Sequence, residues 1–238
     1  MEKIAFSAVL FDLDGTLIDS ESNYAVSDGR LFAEFGIDFD DSLRRSLIGK
    51  GSEEFIRLLR ETYGVAESRD SLLARKNAYY LDIARTNTRV FPEMFKLLES
   101  LHGMGIPTAV ASGSPLFVIR EMLSGLNLDR YFDAVVASEE VERGKPFPDV
   151  FLEAARRLGT PPASCLVFED SPYGVEAAEA AGMRSVAIPT ITEPPLHGSF
   201  FRADRLYAGG MEEFTADDIL ARIRYVPLDA ESLPSRRT

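Results

Sequence analysis

The sequence has one cysteine, two histidines and no tryptophan in 238 residues. Cys165 cannot form an internal disulfide, and within Cys165-Leu166-Val167-Phe168 it reads as a small buried hydrophobe. His102 and His197 have no partner at ligand spacing, so neither zinc chemistry nor a Ser-His-Asp triad is expected. Apolar runs stay far below the roughly 20 residues of a membrane span. No charged leader with an apolar stretch and cleavage site is seen, so the expectation is a cytoplasmic chain without a signal peptide. Basic residues are scarce too: 26 Lys and Arg stand against 38 Asp and Glu, a formal net charge of −12. That balance argues against a nucleic-acid-binding surface, which needs clustered Lys and Arg to neutralise phosphates. Taken at face value, the same acidity argues against an anionic small substrate.

What is present is an ordinary globular composition, 45% apolar and 27% charged, long enough for one large domain or a core plus a module. Short apolar runs alternate with helix-period segments, the pattern of an α/β fold whose parallel sheet is covered on both faces. The strands expected are Ser7 to Asp12, Pro107 to Ser112, Asp133 to Ala137, Ser164 to Glu169 and Ser185 to Ile188. Proline opens the helices and glycine closes them: Pro92 to about Leu101 with Gly103 as the stop, one from Pro115, Pro148 to Gly159, and Pro172 to Gly182. From Ile18 to Arg89 the alternation lapses, leaving only helix-like segments such as Ser52 to Tyr63 and Ser71 to Ala84. A structureless loop of that length is implausible, which makes residues 18–89 a helical insert in a core of residues 1–17 and 90–238. The last dozen residues read as a loosely held tail.

Ligands of open α/β sheets bind beyond the carboxyl ends of the strands. There the sequence places Asp12-Leu13-Asp14-Gly15-Thr16, Ser112-Gly113-Ser114-Pro115, Gly144-Lys145-Pro146 and Glu169-Asp170-Ser171-Pro172. The carboxylates Asp12, Asp14, Glu169 and Asp170 would repel one another unless a cation neutralised them. Oxygen-only ligands point to a hard divalent ion, Mg²⁺, which commonly bridges protein to phosphate. Ser112, Gly113 and Ser114 offer hydroxyls and N–H groups to an anion at a helix start, and Lys145 adds positive charge. Each motif alone is commonly a turn or a cap. Their order after successive strands carries the inference.

The run Phe11-Asp12-Leu13-Asp14-Gly15-Thr16-Leu17-Ile18-Asp19-Ser20 resembles the first motif of the haloacid dehalogenase-like (HAD) hydrolase superfamily, and Ser112, Lys145 and Glu169-Asp170 resemble the other three. The resemblance implies a Rossmann-like parallel-sheet core with an inserted all-helical cap. Asp12 would be the nucleophile forming an aspartyl-phosphate, and Asp14 the general acid and then base, which requires a raised pKa. Asp12, the carbonyl of Asp14 and Asp170 would hold Mg²⁺, with Glu169 contributing directly or through water. Ser112 and Lys145 would hold the phosphoryl group, with Gly113 and Ser114 beside it.

Asp14 argues against carbon–halogen cleavage, because the dehalogenases of the superfamily lack that aspartate. Overall the chain is similar to the β-phosphoglucomutase-like subfamily, with Arg75-Lys76-Asn77 in the cap. Two departures favour a phosphatase over a hexose-phosphate mutase. Tyr24 stands where the sugar phosphomutases carry a histidine, and the cap arginine that grips the distal phosphate is replaced near Glu53. A phosphometabolite-binding protein without turnover is disfavoured, since binding alone needs no paired nucleophile and acid. In the cap, Gly49, Lys50 and Lys76 are candidate substrate-binding residues, whereas Tyr79 and Tyr80 read as cap core. The expected partners are a small phosphorylated metabolite and Mg²⁺, without nucleic acid or membrane; a monomer is compatible and the oligomeric state open. The net charge of −12 then forbids no phosphate ester, because the local field would be set by Mg²⁺, Lys145 and N–H groups.

Overall fold

Ala8, Val9, Leu10 and Phe11 are all buried, as a strand covered on both faces requires. They form the middle of the computed structural model, which describes residues 3–47 and 51–228. The chain begins with β1 (Ile4–Phe6) and β2 (Ala8–Phe11) and leaves the sheet through β3 (Ile18–Asp19). It then forms α1 (Glu21–Glu34), α2 (Asp41–Leu47), α3 (Ser52–Glu61) and α4 (Arg69–Asn87), and returns along β4 (Arg89–Val90). Helices and strands alternate from there: α5 (Pro92–Gly103), β5 (Thr108–Ser112), α6 (Leu116–Gly125), β6 (Ala134–Ala137), α7 (Asp149–Leu158), β7 (Cys165–Glu169) and α8 (Pro172–Ala180). The chain closes with β8 (Arg184–Ala187), β9 (Arg205–Leu206), α9 (Ala216–Arg222) and β10 (Ile223–Tyr225).

The main sheet is parallel, in the order β6-β5-β2-β7-β8-β9. Alternation along β2 divides the core. Val9 and Phe11 pack with Met94, Leu98 and Ile119 of α5 and α6 and with Ile219 of α9, whereas Ala8 and Leu10 pack with Phe151, Ala154 and Ala178 of α7 and α8. After β2 the chain builds β5 and β6 on one side and then crosses to β7 and β8 on the other. The strand order therefore reverses at β2, and a crevice opens beyond its carboxyl end.

Between β3 and β4, which pair antiparallel, the four helices enclose a cluster of their own: Leu31, Phe32, Leu47, Phe55, Ile56, Leu59, Val65 and Leu72. Phe32 meets the rings of Phe39, Phe55 and Tyr63. The far half of α4 belongs to the main core instead, through Tyr80, Leu81 and Ala84.

The five expected strands are present, with Asp12 just past the end of β2. Five short ones were not anticipated: β1 pairing with β10, β9 at the sheet edge, and β3 with β4 at the two ends of the segment read as strand-free. Two or three residues are too few to display a period. Helix α5 runs through Gly103, is capped by Met104 and ends at Gly105, whose φ of +67° makes it the left-handed stop. The tail from residue 229 lies outside the described residues.

Candidate active site

Two glycines let the strand ends crowd together. Gly15, at φ +79°, turns the chain beyond Asp14, and a Cβ there would stand 2.4 Å from Oδ2 of Asp170. At Gly174 a Cβ would fall 1.7 Å from Oε1 of Glu169, so only glycine lets that carboxylate tuck under the first turn of α8. Glu169 accepts the N–H of Ser171 at 2.8 Å and the ammonium of Lys145 at 2.6 Å. Lys145 also donates to Oδ1 of Asp12 at 2.5 Å. Burial acts to lower the Lys145 ammonium, but the Asp12 and Glu169 carboxylates outweigh it and hold its pKa above the usual value. Burial pushes the Asp12 carboxyl up to about 8; Lys145 opposes this, while Glu169 and Asp14 add to it.

Asp14 has different neighbours. Ser114 Oγ donates to its Oδ2 at 2.6 Å and Tyr80 OH to its Oδ1 at 3.3 Å. Because Ser114 spends its one hydrogen on Asp14, the 2.9 Å contact between Tyr24 OH and Ser114 Oγ has the tyrosine as donor. A chain of hydroxyls thus runs from α1 through Ser114 to Asp14. Ser112 Oγ accepts the N–H of Ser114 at 3.0 Å and fixes the loop that opens α6.

A cavity of about 910 Å³ lies over this edge, lined on the core side by Asp12, Asp14, Ser112, Gly113, Ser114, Lys145 and Asp170. Glu169, expected as a metal ligand, does not line it; it is 1% exposed and clamps Lys145 from behind. Asp170 accepts hydroxyls from Thr16 at 3.1 Å and Thr190 at 2.6 Å, and burial, with Glu169 and Asp12 nearby, raises its pKa well above the usual value. Asp12 shares Lys145 with the turned-away Glu169, and Asp170 accepts from the hydroxyls of Thr16 and Thr190, so the two carboxylates that face the cavity form an oxygen-only donor set short of positive charge, which fits a hard divalent ion. Among the described residues no group of three or more His, Cys, Asp or Glu converges for a metal. Of the residues expected to hold Mg²⁺, Asp12 and Asp170 present side-chain oxygens to the cavity, Asp14 is left with its backbone carbonyl because its carboxylate is engaged by hydroxyls, and the Glu169 carboxylate is engaged by Lys145 and Ser171.

The helical side contributes Glu21, Tyr24, Asp28 and Lys76 to the same cavity. Tyr24 and Asp28 lie one turn apart on α1, Lys76 and Tyr80 one turn apart on α4, so two facing pairs form. The rings of Tyr24 and Tyr80 stack at 4.1 Å, and Lys76 is ion-paired with Asp28. Lys76 does reach the cavity as expected, but only 4% exposed and already paired. Tyr79 packs against the helical cluster as expected, whereas Tyr80 belongs to the main core instead and is also a donor to Asp14, a role not read from the sequence. Gly49 and Lys50 lie outside the described residues.

Parallel sheet, switch-point crevice and a pair of unlike carboxylates define a Rossmann-like α/β enzyme. Residues 9–188 match the family described as haloacid dehalogenase-like hydrolase, and the chain belongs to that family. It is 31% identical to the fructose-1-phosphate phosphatase of Escherichia coli over 183 residues, which cover 77% of this chain and 96% of that one. Over 186 residues it is 32% identical to the phosphorylated carbohydrates phosphatase of Thermotoga maritima, covering 75% and 83%. Among solved structures, CbbY of Rhodobacter sphaeroides with xylulose-1,5-bisphosphate superimposes with a TM-score of 0.74 at 26% identity, covering 88% and 99%. Among the described residues no helix is long and apolar enough to cross a membrane.

Proposed function

We propose that the chain is a Mg²⁺-dependent phosphatase that hydrolyses a small phosphate monoester, a sugar phosphate or a phosphoglycolate-like compound, with residues 18–89 acting as its cap. The observation that carries this reading is the contrast between Asp12, bonded to a lysine, and Asp14, bonded only to hydroxyls. Asp12 Oδ attacks phosphorus as the bond to the ester oxygen breaks, giving an aspartyl-phosphate. Asp14 hands its proton to the departing alcohol. Water then attacks the same phosphorus, Asp14 takes its proton, and inorganic phosphate leaves with Asp12 restored. Lys145, the Ser112 hydroxyl and the Gly113 N–H hold the phosphoryl oxygens, with Ser114 N–H fixing Ser112 in place. Asp12, Asp170 and the Asp14 carbonyl would hold Mg²⁺, which when bound would supply positive charge against the charge developing on the phosphoryl group.

The relatives named above act as phosphatases, which supports hydrolysis over mutase chemistry, as does a tyrosine at position 24. The test is release of p-nitrophenol from p-nitrophenyl phosphate with Mg²⁺. Turnover is expected to vanish with EDTA and with Asp12→Asn. Undiminished turnover in that variant, or interconversion of hexose phosphates without phosphate release, refutes the reading.

A further inference from the structure

The roof of the cavity has a charge arrangement that the hydrolytic reading does not use. Lys76 is the buried cation that α4 brings to the site, yet its ammonium is paired with Asp28 and lies 4.1 Å from the centre of the Phe55 ring and 5.3 Å from that of Tyr24. Both partners are buried, Lys76 to 4% exposure and Asp28 to 7%. The other described cations that line the cavity also have carboxylate partners: Arg44 has Asp41, Arg69 has Asp70, Arg143 has Asp149 and Lys145 has Asp12 and Glu169. Glu21 is a further acid lining the same space as Asp14 and Asp28.

We propose that the Asp28–Lys76 pair, with Glu21, sets the substrate class: the remote end of the ester is a neutral, hydroxylated chain, and esters with a second phosphate or a carboxylate there are rejected. The proposal rests on the phosphatase reading and narrows it to the sugar phosphate, setting aside the phosphoglycolate-like ester with its remote carboxylate. A second anion at the roof would have to displace Asp28 from a desolvated pair, leaving a buried carboxylate without its counter-charge. If it did not, it would sit beside Asp28 and Glu21 as a like charge. Hydroxyl groups face neither penalty. They donate to the free lone pairs of Asp28 and Glu21 and accept from the remaining hydrogens of Lys76 and from water.

The closing experiment measures phosphate release by the intact, Mg²⁺-supplemented protein from two esters on one carbon chain, a hexitol 1-phosphate and the corresponding hexitol 1,6-bisphosphate. The expected ratio of kcat/KM favours the monophosphate by at least about 30-fold. Asp28→Asn, which keeps shape and removes the charge, is expected to cut that ratio about tenfold through a lower KM for the bisphosphate. Glu21→Gln is expected to cut it about threefold, and serves as the readout should Asp28→Asn not fold. Equal turnover of the two esters by the wild-type protein, or an unchanged ratio in a folded variant, overturns the proposal and leaves the phosphatase reading intact. No phosphate from either ester overturns both.

Discussion

The two walls of the cavity are built on different principles. On the sheet side, each functional group follows the end of a strand, and its position is set by backbone register, by glycine clearances and by hydrogen bonds within a few residues. On the helical side, the groups are spread over α1 and α4, far apart in sequence, and meet only because two helices pack face to face. The sheet wall concentrates its lysine on two carboxylates, whereas the helical wall neutralises its lysine with a single buried aspartate. Chemistry fixed by a rigid edge can be combined with a roof whose residues vary independently of it.

The strongest test of this division is Asp12→Asn. Turnover of p-nitrophenyl phosphate should fall on the order of 10⁴-fold or more, with Tm nearly unchanged because Glu169 still pairs with Lys145. Next is Gly174→Ala, whose Cβ would occupy the space of the Glu169 carboxylate. It should lower stability in denaturant by about 2–3 kcal/mol and kcat/KM by about 100-fold as Lys145 loses its backing. A variant that keeps full activity would show that the sheet wall does not depend on Glu169.

The same division explains what could be read from residues alone. The strands of the main core, apart from the two-residue β9, are legible because each is an apolar run ending in small or charged residues. Asp12, Asp14, Ser112, Lys145 and Asp170 follow from them. Glu169 is a partial failure: its place after β7 is legible, but the turn of its carboxylate away from the cavity depends on Gly174 and the N–H of Ser171. Helix α1 is poorly legible because Asn23, Ser27 and Asp28 lie on its buried side, which erases the apolar stripe. Asp28 could have been found only by pairing its spacing from Tyr24 with that of Lys76 from Tyr80.

Two substitutions with smaller expected effects on turnover probe the helical wall. Phe32→Ala should cost about 3–4 kcal/mol, because Phe32 is fully buried among three other rings. Hydrogen exchange should place that loss in α1 to α4 and leave β2, β5 and β7 protected; equal loss of protection in the strands would mean that the two clusters unfold as one. Tyr80→Phe removes a 3.3 Å donor to Asp14 and should reduce kcat about fivefold with KM unchanged.

The smallest expected effect lies where the two walls meet, at Glu21. Burial pushes its carboxyl from the ordinary 4.5 up to about 7, and the charges of Asp14 and Asp28 act in the same direction. A carboxyl raised in the folded state contributes stability that is fully present below about 4.5 and is lost as pH rises through about 7. Glu21→Gln does not titrate, so it should match the wild-type protein in Tm at pH 4 and exceed it at pH 8. The gain should be on the order of 1 kcal/mol once partial exposure is allowed for. Glu21 is also the first residue of α1, where the helix N-terminus favours a negative charge by about 0.5 kcal/mol, so the variant gives up that smaller term. The sign at pH 8 therefore decides which influence governs the boundary. A less stable Glu21→Gln at pH 8 would mean that the helix end outweighs Asp14 and Asp28, and that the roof is less acidic than its residues suggest.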